Sequence, residues 1–274
     1  DTVRQVMLPL WNSWYFLSLY ANAEAKTGSI DYSSTNVLDV YIFSKLHKLV
    51  AEATKLMDSY DLFEACQQVR GFLDALTNWY IRRSRDRFWA GDQDAINTLH
   101  TTLHVLTRVI APLLPLTSEK IFRGLTDERS VHLQTWPSPY EIPCNNDLVT
   151  VMDQVRDVCS STLSLRKVHS RRVRLPLAKL TVASPLAEGL RPFVSIITDE
   201  VNVQEVVLST DVAGVARHEL QVIPAALGPR LGSNTQKVIV AVKKGDWKQT
   251  GDTIVAGGVE LQPHEFQLKL MAAV

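Results

Sequence analysis

Apolar positions recur at helical spacing through the first half of the chain. Val3, Val6, Met7, Leu10, Trp14 and Leu17 fall at three- and four-residue steps, which places them on one face of a helix. Pro9 and the bulky Trp11, Trp14, Tyr15 and Phe16 predict that this helix is kinked. After a loop over 28–34, Leu38, Ile42, Leu46, Leu49 and Ala53 predict a second helix over 36–58. A third is expected over 62–89, ended by Gly91 and Asp92. Ile96, Leu99, Leu103, Leu106 and Ile110 mark a fourth over 94–110, broken by Pro112 and Pro115. Thr117 is the expected N-cap of a short helix ending near Leu125. Helices of this kind joined by short loops predict an all-α bundle over 1–142.

The pattern changes after the proline-rich linker 134–146, which holds Pro137, Pro139 and Pro143. One more helix, capped by Asn146, is expected to reach about Arg171. Strands are then expected over 178–182, 203–208, 218–223, 253–255 and 259–261, with a last one marked by Phe266, Leu268 and Leu270. Helices are expected from Pro185 to Ile197 and over 233–243. The second region, 143–274, therefore reads as a small mixed α/β domain with a leading helix and a mixed sheet. The fold class is a helix bundle followed by that domain.

Composition adds exclusions. The chain has 274 residues, of which 46% are hydrophobic, enough for packed cores. Its 29 Lys and Arg balance 29 Asp and Glu. That zero net charge argues against a protein coated with basic residues, yet leaves local patches open. No apolar run approaches the roughly 18 residues of a membrane span, so no membrane partner is expected. Cys66, Cys144 and Cys159 are dispersed and lack a C-x-x-C spacing, which fits a reducing cytoplasm and offers no zinc framework. The chain opens at Asp1 rather than Met, already inside a helix, and is expected to be a piece of a longer protein.

Charge is concentrated in two short segments. The first runs from Asn78 to Trp89 and contains Trp79, Arg82, Arg83, Arg85 and Arg87. On a helix, Asn78, Arg82, Arg85 and Trp89 share one face, with Arg83 and Arg87 on a neighbouring stripe. Guanidinium groups pair with phosphate through two hydrogen bonds, and both Arg and Trp stack on unpaired bases, so this face suits RNA. The same pattern also fits a solvated helix face with Trp79 packed inward. The second segment contains Arg166, Lys167, Arg171, Arg172 and Arg174, five cations in nine residues without an acid. The dipole at a helix C-terminus favours one or two of these cations. The segment reads either as a phosphate-binding surface or as a turn that complements the helix dipole.

Signals for catalysis are absent. The chain has no G-x-G-x-x-G, Walker loop, H-E-x-x-H or G-x-S-x-G. His100 and His104 stand four apart on one helix with no third metal ligand nearby. Gly228–Gly232 reads as a tight basic turn before a helix, either structural or an anion site.

Three motifs carry a family resemblance: Trp11-Asn12-Ser13-Trp14-Tyr15-Phe16, the run Asn78 to Arg85, and Ile110-Ala111-Pro112-Leu113-Leu114-Pro115-Leu116-Thr117-Ser118-Glu119. Together they resemble the anticodon-binding domain of class I aminoacyl-tRNA synthetases for branched aliphatic amino acids, and among these the isoleucyl-tRNA synthetases. The runs 171–177, 197–203 and 227–232 resemble the C-terminal region of that family's eukaryotic-like branch.

The resemblance implies a monomeric, cytoplasmic tRNA-binding fragment, with tRNA(Ile) as partner alongside the catalytic and editing domains of a parent chain. RNA contact is implied for Asn78, Trp79, Arg82, Arg83 and Arg85, and less directly for Arg171, Arg172 and Arg174. Trp89, Arg166 and Lys167 complete the candidate set from the residue pattern. The family's HIGH and KMSKS signatures are missing, so no catalytic residue is expected here. ATP with magnesium, and zinc in some branches, are expected only in the full-length enzyme, and no cofactor or metal in this chain. The alternatives are the same portion of a valyl or leucyl enzyme, or a non-enzymatic helical interaction module.

Overall fold

The computed structural model describes residues 2–212, 216–250 and 253–272. Two compact units divide the chain between Ser160 and Ser161.

The first unit is helical. A π-helical turn, Val3–Met7, leads into α1 (Leu8–Ala23), so the irregularity expected at Pro9 takes the form of a widened turn just before it. Next come α2 (Val37–Asp58), α3 (Leu62–Asp74), a π-helical stretch over Ala75–Ile81, and α4 (Arg85–Trp89). The helix expected over 62–89 is thus interrupted twice, by the π stretch and by a turn at Ser84. Gly91, at φ +65°, ends it. Then follow α5 (Gln93–Ile110), α6 (Pro115–Leu125) and α7 (Asn146–Val168).

Local chemistry sets several of these boundaries. The side chain of Asn36 accepts from Leu38 N at 3.0 Å, Asp61 from Glu64 N at 3.1 Å, and Asp92 from Asp94 N at 2.9 Å. Each satisfies a donor left over in a first helical turn. Two expected caps shift. Pro115, not Thr117, opens α6, because a proline lacks the N–H that would be unpaired there anyway. Asn145 rather than Asn146 caps α7, accepting from Leu148 N at 2.9 Å.

The core sits around α5, nearly every residue of which is buried. Leu10, Tyr41, Ile42, Leu46, Leu76, Tyr80, Phe88, Ile96, Leu99 and Phe122 are fully enclosed. Gly124 lets α1 and α6 approach: a Cβ there would lie 2.3 Å from the Trp14 ring.

The first turns of α7 belong to this unit. Val149, Met152 and Val155 are buried. Asp153 accepts from Tyr41 Oη at 2.7 Å and pairs with Lys45 at 3.0 Å, while Arg156 pairs with Asp74 at 2.8 Å. The compact division falls inside α7, because the apolar residues of its first turns pack with the bundle.

The second unit contains small sheets and helices. Strands β1 (Leu177–Ala183) and β2 (Val203–Ser209) are parallel, with Leu177 opposite Val203 and Val182 opposite Leu208. A parallel pair needs a crossover. A 3-10 segment (Ala187–Phe193) and α8 (Val194–Val201) supply it, and Asn202 ends α8 in the left-handed conformation at φ +51°. Beyond this lie β3 (Ala216–Val222), α9 (Pro224–Leu231), α10 (Thr235–Lys243), β4 (Trp247–Thr250), β5 (Thr253–Ala256), β6 (Val259–Leu261) and β7 (Phe266–Ala272). Strand β3 pairs antiparallel with β7, and β4, β5 and β6 form an antiparallel meander. Leu220, Leu227, Val238, Ile254, Ala256 and Leu261 form its core.

Among the described residues the parallel and antiparallel pairings lie in separate sheets of two, two and three strands, not in one mixed sheet. The segment 224–231, expected to include a turn, is a helix.

Candidate nucleic-acid interface

The Asn78–Trp89 segment separates into an outer and an inner set. Asn78, Arg82, Arg85 and Trp89 are all exposed, as their spacing predicts. Two side-chain hydrogen bonds run along this face: Asn78 Nδ2 donates to Asp74 Oδ1 at 2.6 Å, and Arg82 Nε donates to the Asn78 carbonyl at 2.8 Å. Trp89 is 57% exposed, and its indole N–H donates to Tyr20 Oη at 2.7 Å, which fixes the ring at the surface. Arg83 is half-buried on the neighbouring stripe. Trp79 is 4% exposed and packs in the core; its ring is not available to an RNA base.

Arg87 belongs to the interior. Its guanidinium donates to both carboxylate oxygens of Asp39, at 2.7 and 2.8 Å, and to Asp92 at 2.7 Å. Asp39 is fully buried and also accepts from Tyr80 Oη at 2.9 Å and Ser34 Oγ at 2.6 Å. Burial disfavours the Arg87 charge, but the hydrogen bonds to Asp39 and Asp92 outweigh it and hold the pKa above the ordinary arginine value. Burial and the Asp39 charge push the Tyr80 hydroxyl well above its usual range, so it stays a neutral donor. Sequence spacing put Arg87 on the stripe beside Arg83. Its partner lies 48 residues earlier on α2, and no local signal points to it.

The second basic segment is a loop tied from within. Helix α7 ends at Val168, earlier than expected, and Ser170 takes a positive φ of +52°. Arg166 is 3% exposed. Its guanidinium donates to the carbonyls of Arg172 at 2.8 Å and Val173 at 3.1 Å, and to that of Leu175. Asn202 Nδ2 adds a bond to the Val173 carbonyl at 2.8 Å. Arg166 therefore shapes the loop rather than facing a ligand. Lys167, Arg171, Arg172 and Arg174 are exposed, and among the described residues no ion pair or side-chain hydrogen bond involves them.

Two other expectations resolve into structure. Arg230 lies inside α9 and grips the buried Glu265 through Nε at 2.7 Å and a terminal nitrogen at 2.6 Å, so its charge is spent within the fold. The Arg230 hydrogen bond holds the Glu265 carboxyl down at about 2. His100 and His104 are nine-tenths buried. His100 Nε2 donates to the Leu125 carbonyl at 3.1 Å. His104 lies against Phe122 in a tilted arrangement, at 5.4 Å between ring centres, and burial pushes its pKa down to about 4. Among the described residues no three His, Cys, Asp or Glu side chains group as a metal site, and no helix is long and apolar enough to cross a membrane.

Residues 39–183 match the family described as the anticodon-binding domain of tRNA ligase. The whole chain is also similar to isoleucine–tRNA ligases, at 55% identity to that of Corynebacterium efficiens and 53% to those of Nocardia farcinica and Mycobacterium tuberculosis. It spans 26% of the length of each of these relatives. The matched range takes in α2 to α7 with both basic segments, and on that match the chain belongs to the family of tRNA-ligase anticodon-binding domains.

Proposed function

We propose that this chain is the tRNA-recognising portion of an isoleucine–tRNA ligase. The observation that carries this reading is the exposed face of Asn78, Arg82, Arg85 and Trp89, inside the family-matched range and presenting amide, guanidinium and indole groups together. Arg83 borders that face, and the exposed Lys167, Arg171, Arg172 and Arg174 form a second contact region. Such groups hold phosphates and stack on unpaired bases of an anticodon loop. Their binding energy positions tRNA(Ile) so that its 3′ end reaches a catalytic domain elsewhere in the longer ligase. Activation of isoleucine by ATP with magnesium, and any zinc site, belong to the full-length ligase.

The test is a titration of the chain with tRNA(Ile) and an unrelated tRNA at several salt concentrations. Binding through phosphates makes log affinity fall with log salt, by a slope of about 0.7–0.9 per contact. Replacing Arg82 or Arg85 by alanine is expected to weaken tRNA(Ile) binding by about 1–3 kcal/mol where the arginine reads a base, with an unchanged circular dichroism spectrum. A folded chain that binds neither tRNA at low salt overturns the reading.

A further inference from the structure

Helix α3 carries a glycine in its interior, Gly71. Glycine weakens a helix relative to alanine and is kept where something must approach the backbone closely. At Gly124 that neighbour is the Trp14 ring. At Gly71 the protein provides none, since a Cβ built there meets nothing within 4 Å.

Gly71 instead lines a cavity of about 500 Å³ between α2 and α3, beside the first residue of α7. Lys45, His47 and Lys48 of α2 and Asn146 line it as well. Lys45 is paired with Asp153 at 3.0 Å. The one acid in the lining, Glu52, is engaged by Lys55 at 2.7 Å. Lys48 is half-buried, and among the described residues no ion pair or side-chain hydrogen bond involves it. The cavity therefore combines an uncommitted ammonium group with bare helix backbone, in a volume suited to part of a polymeric ligand.

Its location links it to the exposed stripe. Gly71, Asp74, Asn78, Arg82, Arg85 and Trp89 are all exposed and recur at steps of three and four. The Asn78–Asp74 and Arg82–Asn78 hydrogen bonds keep that face continuous through the π stretch. The one acid on that stripe, Asp74, is neutralised by Arg156 at 2.8 Å and accepts from the Asn78 amide.

We infer that the Lys48–Gly71 cavity is a subsite for the RNA phosphodiester backbone, continuing the path laid out by Asn78, Arg82 and Arg85; the inference rests on the tRNA reading above. Lys48 meets a phosphate, and the missing side chain at Gly71 lets the ribose–phosphate chain lie against the helix.

The experiment compares the chain with its Gly71→Leu, Lys48→Ala and Lys48→Arg variants, measuring tRNA(Ile) affinity across salt together with Tm. Gly71→Leu is expected to keep or raise Tm, because leucine is the better helix former, while tRNA affinity drops about tenfold or more. Lys48→Ala loses about 0.7–0.9 of the log–log salt slope, and Lys48→Arg restores it. If the parent chain binds tRNA(Ile) and both Gly71→Leu and Lys48→Ala bind it with unchanged affinity and slope, the subsite is overturned and the tRNA reading stands. If the parent chain binds no tRNA, the tRNA reading falls and the subsite with it. Should Gly71→Leu lower Tm, the slope of Lys48→Ala alone decides.

Discussion

The two basic segments look alike in sequence and are used differently by the fold. In Asn78–Trp89 the inner cation, Arg87, is held by two acids, Asp39 brought from α2 and Asp92 from the turn just after α4. In Arg166–Arg174 the inner cation, Arg166, is held by the carbonyls of its own loop. In both, one arginine is buried to build the surface on which its neighbours are displayed. The difference lies in what neutralises it: a carboxylate for Arg87, oriented peptide dipoles for Arg166. Removing one member of a buried charge pair is costly, whereas Arg166, bonded through one terminal nitrogen to the carbonyls of its own loop, is a local staple.

The largest effect expected from this contrast is at Arg87. Replacing it by alanine leaves Asp39 fully buried without its counter-charge, and removal of one partner of a buried pair costs about 3–5 kcal/mol. Urea unfolding of the first unit should show that loss, and Asp39→Asn should recover part of it in the Arg87→Ala background, since the stranded charge is then gone. An Arg87→Ala variant as stable as the parent chain would mean that the pair contributes nothing, and the contrast with Arg166 would collapse.

Histidine sharpens the same comparison, because it can give up its charge. His104 is buried, with Arg108 and His100 nearby, so it is kept neutral, at a pKa of about 4 against an ordinary 6.5. As pH falls below about 6.5 the unfolded chain takes up this proton first. The contribution of the neutral ring is therefore complete above that pH and is lost as pH drops toward 4, by at most about 3 kcal/mol. His104→Leu should flatten the acid limb of the stability curve by that amount. An identical acid limb in the variant would show that the ring titrates normally.

Much of this was legible in the sequence, and the exceptions share a cause. The faces of α1, α2 and α5 follow from apolar spacing, because burial against a bundle imposes a helical period directly. The exposure of Asn78, Arg82, Arg85 and Trp89 follows from the same period. What spacing did not reveal depends on partners far along the chain. Arg87 finds Asp39 across 48 residues, and Arg230 reaches Glu265 across 35. The α7 cap moved by one residue, from Asn146 to Asn145, because adjacent asparagines offer equivalent chemistry, whereas α6 starts at Pro115 with no side-chain cap at all. Strand β4 carries Trp247, Lys248 and Gln249, a pattern too short and too polar to register as a strand until β5 pairs with it.

The smallest effects test the loop. Arg166→Ala removes a guanidinium that organises three carbonyls, and a hydrogen bond to a charged group is worth about 1.5–3 kcal/mol. The carbonyls it releases lie in a loop near solvent and can recover water, which places the expected loss at the lower end of that range. Arg172→Ala removes an exposed side chain with no ion pair and should change stability by less than about 0.5 kcal/mol. The two substitutions should then diverge in the other measurement. Arg172→Ala removes one charge from the displayed set and is expected to lower the salt slope of tRNA binding by about 0.7–0.9, with the loop conformation intact. Arg166→Ala leaves every displayed cation in place and should weaken tRNA binding only through loosening of the loop, so its salt slope should stay close to that of the parent chain. If Arg166→Ala instead lowers the slope as Arg172→Ala does, its guanidinium meets RNA directly, and the division into a builder and its displayed neighbours fails for this segment.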